Sequence, residues 1–117
     1  MTQSLKIGNT GEIEDGEMKE VIVNGLELML ARVGDDYYVT GNRCTHLGGK
    51  LSQGILTGTV VTCPLHGSQF DIRDGRVVRW IHEPPGTPRF TGKLRGNPKE
   101  IPVYRVAVKD GEIRVLL

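Results

Sequence analysis

Two short runs hold almost all of this chain's soft-ligand chemistry: Cys44-Thr45-His46 and Cys63-Pro64-Leu65-His66. They contain both cysteines and two of the three histidines, and sixteen residues lie between them. Each run offers one thiolate and one imidazole, and each runs on into glycine: Leu47-Gly48-Gly49 after the first and Gly67 after the second. Two thiolates and two imidazoles suit iron in a sulfide-bridged cluster, or zinc. Zinc modules usually group Cys with Cys and His with His, whereas each run here mixes them. A Cys–His nucleophile needs one thiolate and has no use for two matched runs.

The elements that must position these runs read as short β-hairpins. Asn24-Gly25, between Val21-Ile22-Val23 and Leu26-Glu27-Leu28-Met29-Leu30, is the strongest signal, because both residues accept the positive φ of a type I′ turn. Asp74-Gly75 repeats it between Gln69-Phe70-Asp71-Ile72 and Val77-Val78, and Asp110-Gly111 between Val106-Ala107-Val108 and Ile113-Arg114-Val115. Gly34-Asp35-Asp36 separates Leu30-Ala31-Arg32 from Tyr37-Tyr38-Val39. Strands this short and this closely spaced predict an all-β sandwich or small barrel of about ten strands. No segment sustains a 3.6-residue apolar period, and Glu17-Met18-Lys19 is the one candidate for a helical turn. Tyr37 to Thr40 leads into the first ligand run, Thr59 to Thr62 leads into the second, and Phe70-Asp71-Ile72 leaves it. Two loops rising from neighbouring strand ends can close on one metal centre from opposite sides. The stretch Ile81 to Pro102 holds five of the six prolines and reads as a surface loop that adds little to the core.

Composition narrows the function. A chain of 117 residues with no linker or dividing repeat is read as one domain, 1–117. A net charge of +1 and an aromatic content of 5% give no footing for nucleic acid. Nothing approaches the ~20 apolar residues of a membrane span. Met1 to Asn9 lacks the basic run and apolar core of a secretory signal, so the expected location is cytoplasmic, where stable disulfides are rare. Metal binding is then the better use of the two cysteines.

Around a metal centre, backbone N–H groups can point at sulfur, and Gly48, Gly49 and Gly67 permit that approach because they lack a Cβ. Pro64 stiffens the second loop. Ser68 reads either as a hydroxyl donor to sulfur or as a turn residue. Trp80 and Phe70 read as core, His82 as a loop residue, and Arg89, Lys93, Arg95 and Lys99 as a solvated basic face.

In type, order and separation, Cys44-Thr45-His46-Leu47-Gly48 and Cys63-Pro64-Leu65-His66-Gly67-Ser68 resemble the two ligand boxes of Rieske proteins, and the hairpin-rich chain around them is similar to the short soluble Rieske ferredoxins. The resemblance implies an antiparallel β-sandwich or barrel with two cluster-binding loops at one tip. It implies one [2Fe–2S] cluster, with Cys44 and Cys63 on one iron, His46 and His66 on the other, and Leu47, Gly48, Gly49, Leu65, Gly67 and Ser68 around them. It also implies a one-electron carrier rather than an enzyme, passing electrons from an NAD(P)H-dependent flavoprotein reductase to a terminal oxygenase. Both partners would dock transiently near His46 and His66. Respiratory members carry an extra disulfide-linked Cys in each box, where this chain has Gly49 and Leu65, and a Tyr where it has Phe70. A proline-bearing third loop covers the cluster in the family; His82-Glu83-Pro84-Pro85-Gly86 is its candidate here. A small nitrite reductase subunit, a redox- or iron-sensing module and a zinc-stabilised interaction module are the alternative readings.

Two imidazoles in place of two thiolates remove two negative charges from the cluster, which raises its potential above the all-Cys type. Freshly isolated protein is expected to be red-brown, with about two irons and two acid-labile sulfides per chain. Cys44→Ser or Cys63→Ser should abolish the cluster, because a harder oxygen replaces the thiolate. One zinc and no labile sulfide on metal analysis would overturn the cluster assignment.

Overall fold

The computed structural model describes residues 3–45, 48–65, 67–79 and 99–117. These residues form ten strands and two short 3-10 turns. Strands β1 (Ser4–Asn9), β2 (Met18–Val23), β3 (Leu26–Val33), β4 (Asp36–Gly41), β9 (Val103–Lys109) and β10 (Glu112–Leu116) make one sheet in the order β1-β10-β9-β4-β3-β2. Strands β5 (Ile55–Thr57), β6 (Val60–Thr62), β7 (Gln69–Asp71) and β8 (Val77–Arg79) make a second sheet in sequence order. Every named pairing is antiparallel, as expected of an all-β chain built from hairpins. No helix among the described residues is long and apolar enough to cross a membrane.

Turn chemistry fixes the large sheet's register. Asn24 and Gly25 take φ of 50° and 77°, and Asp110 and Gly111 take 52° and 76°. Two successive positive φ values are what a type I′ hairpin requires. They lock Val23 opposite Leu26 and Lys109 opposite Glu112. At Gly34 only the first turn residue is left-handed, with Val33 opposite Asp36. The Asp74-Gly75 hairpin differs from the sequence expectation. Gly75 alone is left-handed, and β7 and β8 are joined by five residues instead of two. The helical turn expected at Glu17-Met18-Lys19 is absent: Met18 and Lys19 begin β2, where Met18 pairs with Ala31 and packs on a core. The 3-10 turns fall instead at Thr10–Glu12 and Leu51–Gln53.

The sheet period of two divides the apolar residues between two cores. Leu28, Leu30, Val39, Ile113 and Val115 fill the space inside the large sheet with Ile13. Met29 and Ala31, the alternate residues of β3, face the other way onto Val61, Phe70, Ile72, Leu51, Cys44 and Cys63. This is why Leu28-Met29-Leu30-Ala31 is buried without interruption: β3 lies between two cores. Phe70 is fully buried, as expected, whereas Ile101, read from sequence as part of a loop with little core, joins the second core. Trp80 and His82, with the rest of 80–98, lie outside the described residues.

Asp71, at the end of β7, is the buried charge of the small sheet. Arg73 donates to both of its oxygens, Nε to Oδ1 at 3.1 Å and Nη2 to Oδ2 at 2.8 Å, and Arg76 stands 3.6 Å away. The Arg73 hydrogen bonds hold the Asp71 carboxyl at about 2, below its ordinary 3.8, against the opposing effect of burial. A depressed carboxylate stabilises the fold above the unfolded-state pKa of 3.8, and the contribution is lost as pH falls through about 2. Asp71→Asn should therefore lower stability at neutral pH by about 1–2 kcal/mol, discounted because both guanidiniums are largely exposed. The gap between the melting points of wild type and variant should close between pH ~4 and ~2. A gap that persists unchanged at pH 2 would show that the ion pairs are not its source.

Candidate metal centre

The two ligand loops share one backbone plan. Arg43 bridges to Lys50 across the first, and Thr62 pairs with Gln69 across the second, so each encloses six residues, 44–49 and 63–68. In each, the cysteine sits at the first position. Cys44 N–H donates to Gly49 O (2.8 Å) and its carbonyl accepts from Gly48 N–H (2.8 Å). Cys63 N–H donates to Ser68 O (2.8 Å) and its carbonyl accepts from Gly67 N–H (3.1 Å). Gly48 and Gly67 occupy the same place in the two loops, with φ of 74° and 82°. Only a residue without a Cβ turns the chain there without strain.

The loops bring both thiols into one core, 2% and 3% exposed, and the two are not joined to each other as a disulfide. They also touch. A Cβ on Gly49 would stand 2.8 Å from Leu65 Cγ and 3.2 Å from Cys63 Sγ. Position 49 is thus left bare beside a ligand sulfur, and its neighbour across the gap is Leu65. Ser68, the last residue of the second loop, is fully buried, and Leu65 stays largely exposed. His46, Leu47 and His66 lie outside the described residues, and among the described residues no three potential metal ligands cluster elsewhere. Two buried thiols on loops of one plan, with a missing side chain against one sulfur, fit a cluster bound between the loops.

Several supporting residues were not picked out from sequence. Buried Asn42 receives Leu51 N–H on its carbonyl and Ser52 N–H on Oδ1, and donates its own N–H to Glu27 O and Nδ2 to Glu20 Oε2. Lys50 and Asn42 together hold the Glu20 carboxyl below its ordinary range by hydrogen bonding. Arg43 forks onto Glu27, with Nε to Oε2 at 2.8 Å and Nη2 to Oε1 at 3.3 Å, and its Nη1 donates to Gly48 O at 3.0 Å. Thr45 Oγ1 donates to Lys99 O at 2.5 Å, and Ile101 N–H donates to Gly75 O at 3.0 Å. The loop after β7 copies the ligand-loop plan: Asp71 N–H donates to Arg76 O and Gly75 N–H to Asp71 O, with Gly75 at φ 81°. Asp71 stands where the cysteines stand. Its spacing to Gly75 equals that of Cys44 to Gly48 and Cys63 to Gly67, a repeat readable in the sequence once the first residue is allowed to vary.

The family model of the Rieske [2Fe-2S] domain matches residues 3–105. The chain belongs to this family. It resembles Ferredoxin CarAc of Metapseudomonas resinovorans, 32% identical over 114 residues, 95% of this chain and 91% of that protein. It also resembles the ferredoxin component of the naphthalene 1,2-dioxygenase system of Pseudomonas aeruginosa, 42% identical over 67 residues; the match spans 57% of this chain and 64% of that protein. Among solved structures it is similar to one titled as the complex of reduced oxygenase and oxidized ferredoxin in carbazole 1,9a-dioxygenase, with TM-score 0.76, 32% identity, and 96% and 91% of the two chains covered. The Sphingomonas yanoikuyae B1 ferredoxin gives TM-score 0.76 at 27% identity, covering 97% of each chain. This Rieske chain accordingly carries one [2Fe–2S] cluster and works as an electron carrier, not a catalyst.

Gly67 and Gly49 separate two kinds of constraint. An alanine at 67 must hold φ 82°, so Gly67→Ala should cost about 1–2 kcal/mol of stability through backbone strain. Gly49→Ala should push on Leu65 and Cys63, and so shift the visible absorption of the cluster. Urea titrations and visible spectra of the two variants test this; a Gly49→Ala spectrum identical to wild type would show that the 3.2 Å approach does not matter to the cluster.

Proposed function

We propose that residues 1–117 act as one Rieske unit in which Cys44 and Cys63 hold one iron and His46 and His66 the other. Leu47, Gly48, Gly49, Leu65, Gly67 and Ser68 line the cluster. The observation that carries this reading is the pair of matched loops that put two buried thiols into one core and touch at Gly49 and Leu65. When bound, the cluster supplies a site that takes up and releases one electron. The protein's own part is to hold the ligands still, to exclude water from the thiolate side with Phe70, Leu51, Val61 and Ile101, and to leave the outer side of the loops open at Pro64 and Leu65.

The partners on this reading are an NAD(P)H-dependent flavoprotein reductase as donor and a terminal ring-hydroxylating-type oxygenase as acceptor, each docking transiently near His46 and His66. Support comes from the relative named as the ferredoxin component of a naphthalene 1,2-dioxygenase system, and from the similar structure titled as a complex of oxygenase and ferredoxin. A cytoplasmic location suits a carrier supplied by such a reductase.

The reduction potential tests the assignment. Phe70 is buried in the same core as both thiols and has no hydroxyl to offer a sulfur. A charge-assisted hydrogen bond of ~1.5–3 kcal/mol corresponds to about 60–130 mV for one electron. Without that donor, the potential is expected in the lower half of the Rieske range, below about +75 mV. Phe70→Tyr should raise it if the new hydroxyl reaches a cluster sulfur. A wild-type potential near the top of the range, in a spectroelectrochemical titration, would favour a quinol-linked role and overturn the oxygenase-type reading.

A further inference from the structure

Arg43 precedes the first ligand cysteine, and all three of its guanidinium nitrogens are engaged. Two fork onto the Glu27 carboxylate of β3, at 2.8 and 3.3 Å. The third donates to Gly48 O at 3.0 Å. Gly48 is the left-handed residue that turns the loop, and its N–H is bonded back to the carbonyl of Cys44. Arg43 also closes the base of the loop through its bridge to Lys50, whose ammonium is tied to Glu20 of β2 at 3.1 Å. The loop is therefore fastened to β3 by a side chain that grips it from outside, at the carbonyl of its turning residue. The guanidinium is a fixed positive charge beside the ligand loop, and Glu27 is its counter-charge. Both are only partly exposed, so solvent weakens their field without abolishing it.

We infer that Arg43 is a positioning residue of the first ligand loop, and that the Arg43–Glu27 pair sets part of the cluster's reduction potential. The inference rests on the reading of Cys44 as an iron ligand. Reduction adds one negative charge to the cluster, so a nearby cation favours the reduced state and a nearby carboxylate the oxidised one. Lysine carries the same charge as arginine but cannot fork a carboxylate and reach a third acceptor with one planar group. Charge and positioning can therefore be separated by substitution.

The experiment uses the full-length holoprotein and reads two quantities: the potential, by spectroelectrochemical titration, and the rate of loss of visible absorption in an iron chelator. Arg43→Gln should lower the potential and speed cluster loss. Glu27→Gln should raise the potential. The double variant Arg43→Gln/Glu27→Gln should return toward the wild-type potential while still losing its cluster as fast as Arg43→Gln. Arg43→Lys should keep a potential close to wild type yet lose the cluster faster. The offsets of the two single variants should shrink as salt is raised. Shifts of the same sign in Arg43→Gln and Glu27→Gln would overturn the electrostatic part, because a loosened loop has no reason to distinguish the charges. An Arg43→Lys protein as resistant to chelator as wild type would overturn the positioning part. If wild type itself held no [2Fe–2S] cluster, the ligand reading would fail instead, and iron and labile sulfide analysis of the same preparation tells the two failures apart.

Discussion

Everything in this molecule depends on bringing two thiolates from separate hairpins to one place and holding them there out of water. A thiolate is costly to bury unless it has a partner, and on the ligand assignment proposed above that partner is iron. The fold meets the geometric half of the requirement by repetition: one six-residue loop plan, used twice, puts Cys44 and Cys63 at equivalent positions. The other half is close approach, and it turns on a side chain that is missing. Gly49 lets the two loops meet at a distance that any larger residue would enlarge. Gly49 faces Leu65 across the gap, and the loops are held in place by their separate anchors in the sheets.

Those anchors explain why β3 is buried on both faces. Its inward residues Leu28 and Leu30 belong to the core of the large sheet, and its outward residues Met29 and Ala31 floor the core that contains the thiols. The same strand contributes Glu27, which accepts Asn42 N–H on its backbone and Arg43 on its side chain. A displacement of β3 would therefore be felt by both loops at once. On the far side, Asp71 with Arg73 and Arg76 braces the loop after β7, whose Gly75 carbonyl holds Ile101 in the thiol core. Packing on one face and an ion-paired hairpin on the other thus brace the two loops from opposite sides.

How much of this could be read from sequence followed the range of the interactions. The Asn24-Gly25 and Asp110-Gly111 hairpins were legible because two adjacent residues determine a type I′ turn. The Rieske resemblance was legible because iron's taste for soft donors is a property of residue type. Asp74-Gly75 was misread as a two-residue turn because Gly75 answers to Asp71 and Ile101 as well as to its neighbour. Met18 was read as helical because a short run of helix-favouring residues carries no sign of its partner, Ala31 on β3. Arg43, Asn42 and Glu20 escaped notice for the same reason: their roles exist only once β2, β3 and the first loop are side by side. Ile101 looked like loop because one apolar residue among prolines and charges has no period of its own.

The residues that flank the long proline-rich stretch are tied to both ligand loops. The chain leaves the small sheet at Arg79, opposite Gln69, one residue beyond the second ligand loop. It returns at Lys99, whose carbonyl is held by Thr45 of the first, and then enters the thiol core at Ile101 and meets β4 through Pro102 O and Gly41 N–H. A Cβ at Gly75 would run into the Ile101 carbonyl and one at Gly41 into the Pro102 ring, so the returning segment passes close over both glycines. Arg79, before the stretch, thus lies beside the second ligand loop, and Lys99, after it, lies beside the first, so the residues that flank it tie the two loops to the small sheet and to β4.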